Sequence, residues 1–367
     1  MDPFVSVAPG RLCLFGEHQD YLGWPVIALS IPLACRIEVH PKNDDDGSSR
    51  RLELRVPALN KIVVYDLDNL PQRKDPHNTA EPDFALAAIH EAVAEGWTFA
   101  CGADCISTSD IIMKAGCSSS SAFCVAWVNV LATLANKSLT PVELAVRAHR
   151  AEVLHFDAPG GTMDHVTSAV GGLLRIGPGH FQYESLPLYP PNQMGVWVLA
   201  YSGEPKDTLH HLKRCKEKRL ELFDKIDGNW DTNDNSSLDH LDKLLLKATL
   251  TNRDTEKRAA SLWEAGPREN MILGQQLGDL MKHHHEALRD GLLVSTTKLE
   301  SLNNAALDAN AWGFKVVGSG GGGCGVAWTD PDNATCVRKA MEKAGATKVW
   351  IIDKPAPRAA IHKVCDR

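Results

Sequence analysis

The chain has 367 residues and a formal net charge of −7, long enough for two domains with sizeable cores. Hydrophobic residues make up 44% and charged residues 23%, as in an ordinary soluble globular protein. The negative balance argues against nucleic acid or an anionic membrane surface as the main partner. No apolar run approaches the roughly 18–20 residues that cross a bilayer. The opening MDPFVSVAPGR lacks the basic and apolar regions of a secretory leader. Ten cysteines form no CxxC pair, which predicts reduced core thiols in a cytoplasmic protein and no structural zinc.

In chain order, Val5–Ala8 and then Leu12, Leu14 and Phe15 predict strand. Gly16 and the polar cluster Glu17-His18-Gln19-Asp20 interrupt it, and Val26–Ile31 resumes the apolar pattern. Arg11, Glu17, His18 and Asp20 therefore crowd together between buried segments, where polar groups are costly. Such a cluster is either a solvated turn or a site for a polyol, whose hydroxyls need carboxylate and imidazole partners. Residues 35–56 and 61–66 read as strands around the turn-rich surface loop 43–50, and residues 70–82 as loop. From Asp83 to Ala94, Phe84, Leu86, Ala87, Ile89 and Val93 form a helical stripe.

The stretch KAGCSSSSA, residues 114–122, follows a β-type run Ile111-Ile112-Met113 and opens an apolar helix from Phe123. Gly116 and Ser118, Ser119, Ser120 and Ser121 let the backbone curl tightly, and the start of a helix offers free N–H groups to an anion. A serine-rich cap on a core helix is the other reading. The Walker pattern is absent, because no Lys-Ser/Thr follows the second glycine. Pro141 starts a helix to about residue 155, carrying Val142, Leu144, Ala145, Ala148, Val153 and Leu154 on one face, and a glycine-bearing turn with a short helix occupies 156–172. Strands LLRI, FQYESL and VWVLAY follow, with a composition shift near Pro187–Pro191 marking a domain boundary.

The second half reads as mainly helical, at 208–226, 238–250, 255–264, 269–289 and 295–309. Leu209, Leu212, Leu220, Leu222 and Phe223 form the apolar set of the first of these, and His283–His285 sit on a solvated polar face of a later one. FKVVGSGGGGCGVAWTD, residues 314–330, is strand, glycine loop and strand, followed by a helix at 334–344 and a closing strand at 348–352. A glycine loop framed this tightly lets backbone approach a ligand or another loop.

Together PGRLCLFGEHQDYLG, KAGCSSSSA and GSGGGGCGVAW resemble, in order, the three motifs of the GHMP kinases. The first is most similar to galactokinase, with an aspartate two residues after the histidine, and Gly160-Gly161-Thr162-Met163-Asp164 is close to another galactokinase segment. The resemblance implies an α+β, two-domain GHMP kinase fold. Residues 1–188 would be ribosomal S5 domain-2-like and carry the ATP and sugar motifs, and residues 189–367 would be ferredoxin-like. It implies a monomeric or homodimeric enzyme that uses ATP and Mg²⁺ to phosphorylate the anomeric hydroxyl of a monosaccharide, giving a sugar 1-phosphate.

Carried over by position, Asp164 would orient or deprotonate the attacking hydroxyl, with Arg11 holding it ionised. Glu17, His18, Asp20 and Gly161 would bind the sugar, and Ala115, Gly116, Cys117, Ser118, Ser119, Ser120, Ser121 and Ala122 would bind ATP. Ser120 and Glu152, twelve residues before Asp164, would hold magnesium. Cys13, Leu22 and Ser121 depart from the galactokinase pattern, and no tyrosine in SGEPKDTLHHLKRC matches its sugar-contacting one, leaving the identity of the aldose open. The alternatives are a kinase for a non-sugar alcohol, of mevalonate or homoserine type, and a non-catalytic sensor of ATP and sugar. The Glu17-His18-Asp20 cluster argues against the former, and an intact second motif with Asp164 against the latter.

Overall fold

The computed structural model describes residues 1–42, 50–73, 82–177, 181–205, 208–232, 234, 236–268 and 272–364. The first half builds β1 (Phe4–Phe15), β2 (Val26–Pro41), β3 (Arg51–Val56), β4 (Lys61–Asp66), α1 (Phe84–Ala94), β5 (Ala103–Ser109), α2 (Ser119–Leu134), α3 (Pro141–Glu152), α4 (Met163–Val170), β6 (Leu173–Ile176) and β7 (Tyr183–Ser185). The second half builds α5 (Pro191–Met194), β8 (Val196–Tyr201), α6 (Thr208–Lys225), α7 (His240–Ala265), α8 (Leu273–Glu286), α9 (Thr297–Asp308), β9 (Gly313–Val316), β10 (Cys324–Thr329), α10 (Ala334–Lys343), β11 (Lys348–Ile352) and β12 (Ala360–Lys363).

Eight strands form the first sheet, in the order β12-β1-β2-β5-β3-β4, with β6 and β7 branching from β2. The 16-residue β2 keeps its pairing with β1 through a register shift, from Pro9↔Ala34 to Gly10↔Ile31. Pro32 falls in that shift, where its missing N–H breaks no ladder bond. Helix α2 is buried on nearly every side, which its run of Val, Ala, Leu and Trp permits. Helix α3 packs on it, held at its start by Pro141 and a reciprocal Thr140–Glu143 capping box.

The second sheet has the antiparallel order β11-β8-β10-β9. Counted from β8, that is fourth, first, third, second, the arrangement of the ferredoxin-like β-α-β-β-α-β unit. One face packs Val196, Val198, Ala200, Phe314 and Ala327 against α9 and α10. The other turns Trp197 and Trp328 toward Trp263 of α7 and Phe15 of β1. One core thus runs through both halves.

Several sequence expectations are corrected. Residues 111–113 are not a strand: β5 ends at Ser109, after pairing with β2 and β3, and the chain turns there while Ile111 buries its side chain. The helices expected at 238–250 and 255–264 are one, α7, because nothing between them is a glycine or proline. The helix expected over 269–289 begins at Leu273 and widens into a looser turn at Ala287–Gly291; residues 269–271 lie outside the described residues. Within α6, Leu220 is exposed and Arg219 takes the buried phase, while the side chain of Leu209 lies outside the description. Of the three histidines on α8, only His283 is exposed, because that helix is sandwiched between the sheet and α7 and buries His284 and His285. Among the described residues no helix is long and apolar enough to cross a membrane.

Candidate active site

Strand β1 carries Arg11 across the serine loop. At Gly10 a Cβ would stand 2.7 Å from the Cys117 carbonyl, so only glycine lets the strand and loop meet. The Arg11 N–H donates to that carbonyl at 3.2 Å, and its guanidinium donates to the Gly116 carbonyl. The same guanidinium grips Asp164 in a two-pronged pair, with Nε and Nη2 each 2.7 Å from Oδ1. Asp164 sits in the first turn of α4 with its side chain 27% exposed, so it is fixed from behind and open in front. Burial opposes its ionisation, yet Arg11 and the Ser118 hydroxyl outweigh that and hold the carboxyl below the ordinary aspartate range. It is a carboxylate at neutral pH.

A second carboxyl lies beside it. Asp20, in a short helical turn at Asp20–Leu22, packs onto Gly161, where any Cβ would overlap its oxygens. Burial first, and then repulsion from Asp164, push the Asp20 carboxyl up to about 6. The backbone N–H of Tyr21 donates to its Oδ1 at 2.9 Å.

The neighbouring turn residues tie the halves together. Glu17 is 2% exposed, and Lys315 of β9 donates to its Oε2 at 2.7 Å and to the Cys13 carbonyl at 2.7 Å. Its carboxylate is thereby engaged with a buried lysine and not laid open on the surface. His18 has Nε2 3.2 Å from the Ser319 carbonyl of the glycine loop and Nδ1 3.2 Å from the Tyr21 hydroxyl. Arg219 of α6 donates to the same hydroxyl and lies over the Tyr21 ring at 5.2 Å. Asn252 of α7 donates to the Glu17 carbonyl at 2.7 Å.

The serine loop holds Lys114 at φ 55°, Gly116 at φ 100° and Ser118 at φ 60° before α2 starts at Ser119. The first helical amide bonded back is Ala122, to the Ser118 carbonyl at 3.0 Å, so the amides of Ser119–Ser121 lack helical acceptors. Ser120 is exposed on this first turn, whereas Ser121, Ala122, Ala115 and Cys117 are buried and shape the loop from beneath. The glycine loop supports it, the Cys324 N–H donating to the Ala115 carbonyl at 2.8 Å. It approaches another loop, one of the two uses its sequence allowed.

Glu152 ends α3, and its Oε2 accepts from His165 Nε2 at 2.6 Å. Burial, and after it the Glu152 charge, push the Cys124 thiol up. Cys124 is one turn on from Ser120 along α2, on the same side of that helix start. Among the described residues no cluster of three His, Cys, Asp or Glu suited to a metal occurs. Sequence reasoning missed Lys315, Arg219 and His165. Only Lys315 left a signal, a lone charge inside the apolar strand FKVV.

The description "GHMP kinases N terminal domain" fits residues 83–172, "GHMP kinases C terminal" fits residues 272–347, and "Galactokinase galactose-binding signature" fits residues 1–41. A mevalonate kinase of Pyrococcus abyssi is 31% identical over 94% of this chain and 93% of its own length. A galactokinase of Pyrococcus furiosus is 25% identical over 93% of each. The fold matches Lactococcus lactis galactokinase, solved with galactose, at a TM-score of 0.80 and 18% identity, covering 99% of this chain and 95% of that one. The chain belongs to the GHMP kinase family. It is a phosphotransferase whose acceptor is an alcohol group.

Proposed function

We propose that this enzyme is an ATP-dependent sugar kinase of galactokinase type, transferring the γ-phosphate to the anomeric hydroxyl of a monosaccharide. The observation that carries the reading is Asp20, a second carboxyl seated on Gly161 beside the Arg11–Asp164 pair. A polyol acceptor needs more than the one carboxylate that activates its reacting hydroxyl, and Asp20 supplies another at a fixed place. The galactose-binding signature over residues 1–41 covers the same turn and supports it.

In this reading Asp164 takes or orients the proton of the attacking hydroxyl. Arg11 keeps Asp164 ionised and offsets charge that develops on the transferring phosphoryl. The free amides of Ser119–Ser121, at the positive end of α2, donate to the ATP phosphates. Ser120 and Glu152 offer a hydroxyl and a carboxylate, the hard oxygen donors that suit Mg²⁺ when phosphates complete the shell. The cation, when bound, neutralises phosphate charge. His18 and Glu17 hold the acceptor turn in place through Ser319 and Lys315.

An acid alcohol of mevalonate type is the second reading, favoured by the 31% identical relative and by Arg219. This buried guanidinium donates to the Tyr21 hydroxyl and the Cys215 carbonyl, and among the described residues it meets no carboxylate. A substrate carboxylate near Tyr21 would meet that need. The deciding experiment is ADP release with epimeric aldoses, mevalonate and homoserine, with the product identified by ³¹P NMR. Aldose turnover giving a 1-phosphate is expected. Turnover of mevalonate or homoserine with every aldose inert would overturn the sugar reading.

A further inference from the structure

Helix α4 presents two adjacent side chains in different directions. Asp164 faces Arg11, and His165 turns back to the end of α3, where its Nε2–H donates to Glu152 Oε2 at 2.6 Å. His165 is 2% exposed and its Nδ1 meets no hydrogen-bond partner among the described residues, so the proton belongs on Nε2. The ring of His149, from α3, packs edge-on against it at 5.1 Å, backed in turn by Phe181 at 5.4 Å. The imidazole is therefore fixed in both position and tautomer.

Glu152 needs such a partner. It is the last residue of α3, at the negative end of the helix, where a carboxylate is electrostatically disfavoured. Its Oε1 accepts from no described residue, while Oε2 is held. A carboxylate with one oxygen anchored and the other left open is the form in which an outer group aims a metal-binding side chain.

We infer that His165 is a positioning residue that aims Glu152 at the nucleotide-bound divalent cation, so that the first turn of α4 serves both the acceptor hydroxyl and the metal. The inference rests on the reading of Glu152 as a metal ligand. No part of it depends on a charge on the imidazole; the hydrogen bond and the rigid ring suffice.

The test measures Mn²⁺ binding by EPR, in the presence of a non-hydrolysable ATP analogue, on the full chain and without turnover. His165→Leu and His165→Asn, neither of which places a donor at the Nε2 position, should weaken Mn²⁺ binding by roughly 10–100-fold. His165→Gln, whose amide nitrogen reaches the place of Nε2, should restore most of it. Glu152→Gln should weaken binding at least as much, and Glu152→Gln with His165→Leu should be little worse than Glu152→Gln alone. If Leu does not fold, the contrast between Asn and Gln carries the test. Wild-type Mn²⁺ affinity in His165→Asn, or equal loss in Asn and Gln, beside a weakened Glu152→Gln, overturns the role of His165 and leaves the metal reading standing. Unchanged affinity in Glu152→Gln overturns both.

Discussion

Replacing Asp20 by asparagine should make the protein more stable and a worse kinase. Burial and the nearby Asp164 raise the Asp20 carboxyl from 3.8 to about 6, so the native state disfavours its charge. A shift of about two units corresponds to about 3 kcal/mol. The sign follows from proton binding: between those two values the native protein holds a proton that the unfolded chain has released. Stability from this group is therefore complete below the ordinary carboxylate range and lost as pH rises through about 6. Asp20→Asn keeps the shape and the acceptor for the Tyr21 N–H, and it removes the charge. Urea unfolding at pH 8 should show a gain of up to about 3 kcal/mol over wild type, shrinking toward nothing near pH 4. Function should move the other way. If ionised Asp20 accepts an acceptor hydroxyl, the acceptor KM of wild type should rise about tenfold from pH 7 to pH 5, with little change in the KM for ATP. In Asp20→Asn the acceptor KM should be high and flat over that range. A variant no more stable at pH 8 than wild type, or a wild-type acceptor KM indifferent to pH, would refute the reasoning.

Asp164→Ala should lower kcat by roughly 10²–10⁴-fold while nucleotide binding, read by calorimetry, stays nearly intact; a near-normal kcat would remove Asp164 from the chemistry. Gly161→Ala should drive a methyl into the Asp20 carboxyl and raise the acceptor KM far more than the ATP KM in steady-state assays. Lys315→Met leaves Glu17 charged and buried and should cost about 3–5 kcal/mol in denaturant unfolding, whereas Lys315→Met with Glu17→Gln should recover much of that loss.

The Arg11–Asp164 pair, 153 positions apart, was legible only through the resemblance of the motifs that carry the two residues; an aspartate on a turn, taken alone, reads as a helix cap. The turn at 17–20 was legible as polar residues between apolar strands, but the partners were not. Glu17 meets Lys315 across 298 positions, and no local pattern announces a pairing at that distance. Helix α6 misled for a different reason. Arg219 and Leu220 are adjacent, and ranking side chains by apolarity assigns the buried phase to the leucine. The arginine takes it because the Tyr21 ring and hydroxyl receive its guanidinium. The histidines of α8 failed likewise, since a helix packed on both sides has no polar face to spare. β12 escaped notice altogether: four residues without strict alternation register only by the strand they complete.

That last strand sets an order for synthesis. β12 pairs antiparallel with β1, from Phe4↔Lys363 to Val7↔Ala360, and the Val364 N–H donates to the Pro3 carbonyl at 3.2 Å. β1 leaves the ribosome long before β12 and thus keeps one unpaired edge until residues 360–363 emerge. Through most of translation that edge is open to pairing with the β1 of another nascent chain. Chaperone capture of the growing chain should therefore persist until the closing strand is released, even though the serine loop and α2 were made long before it.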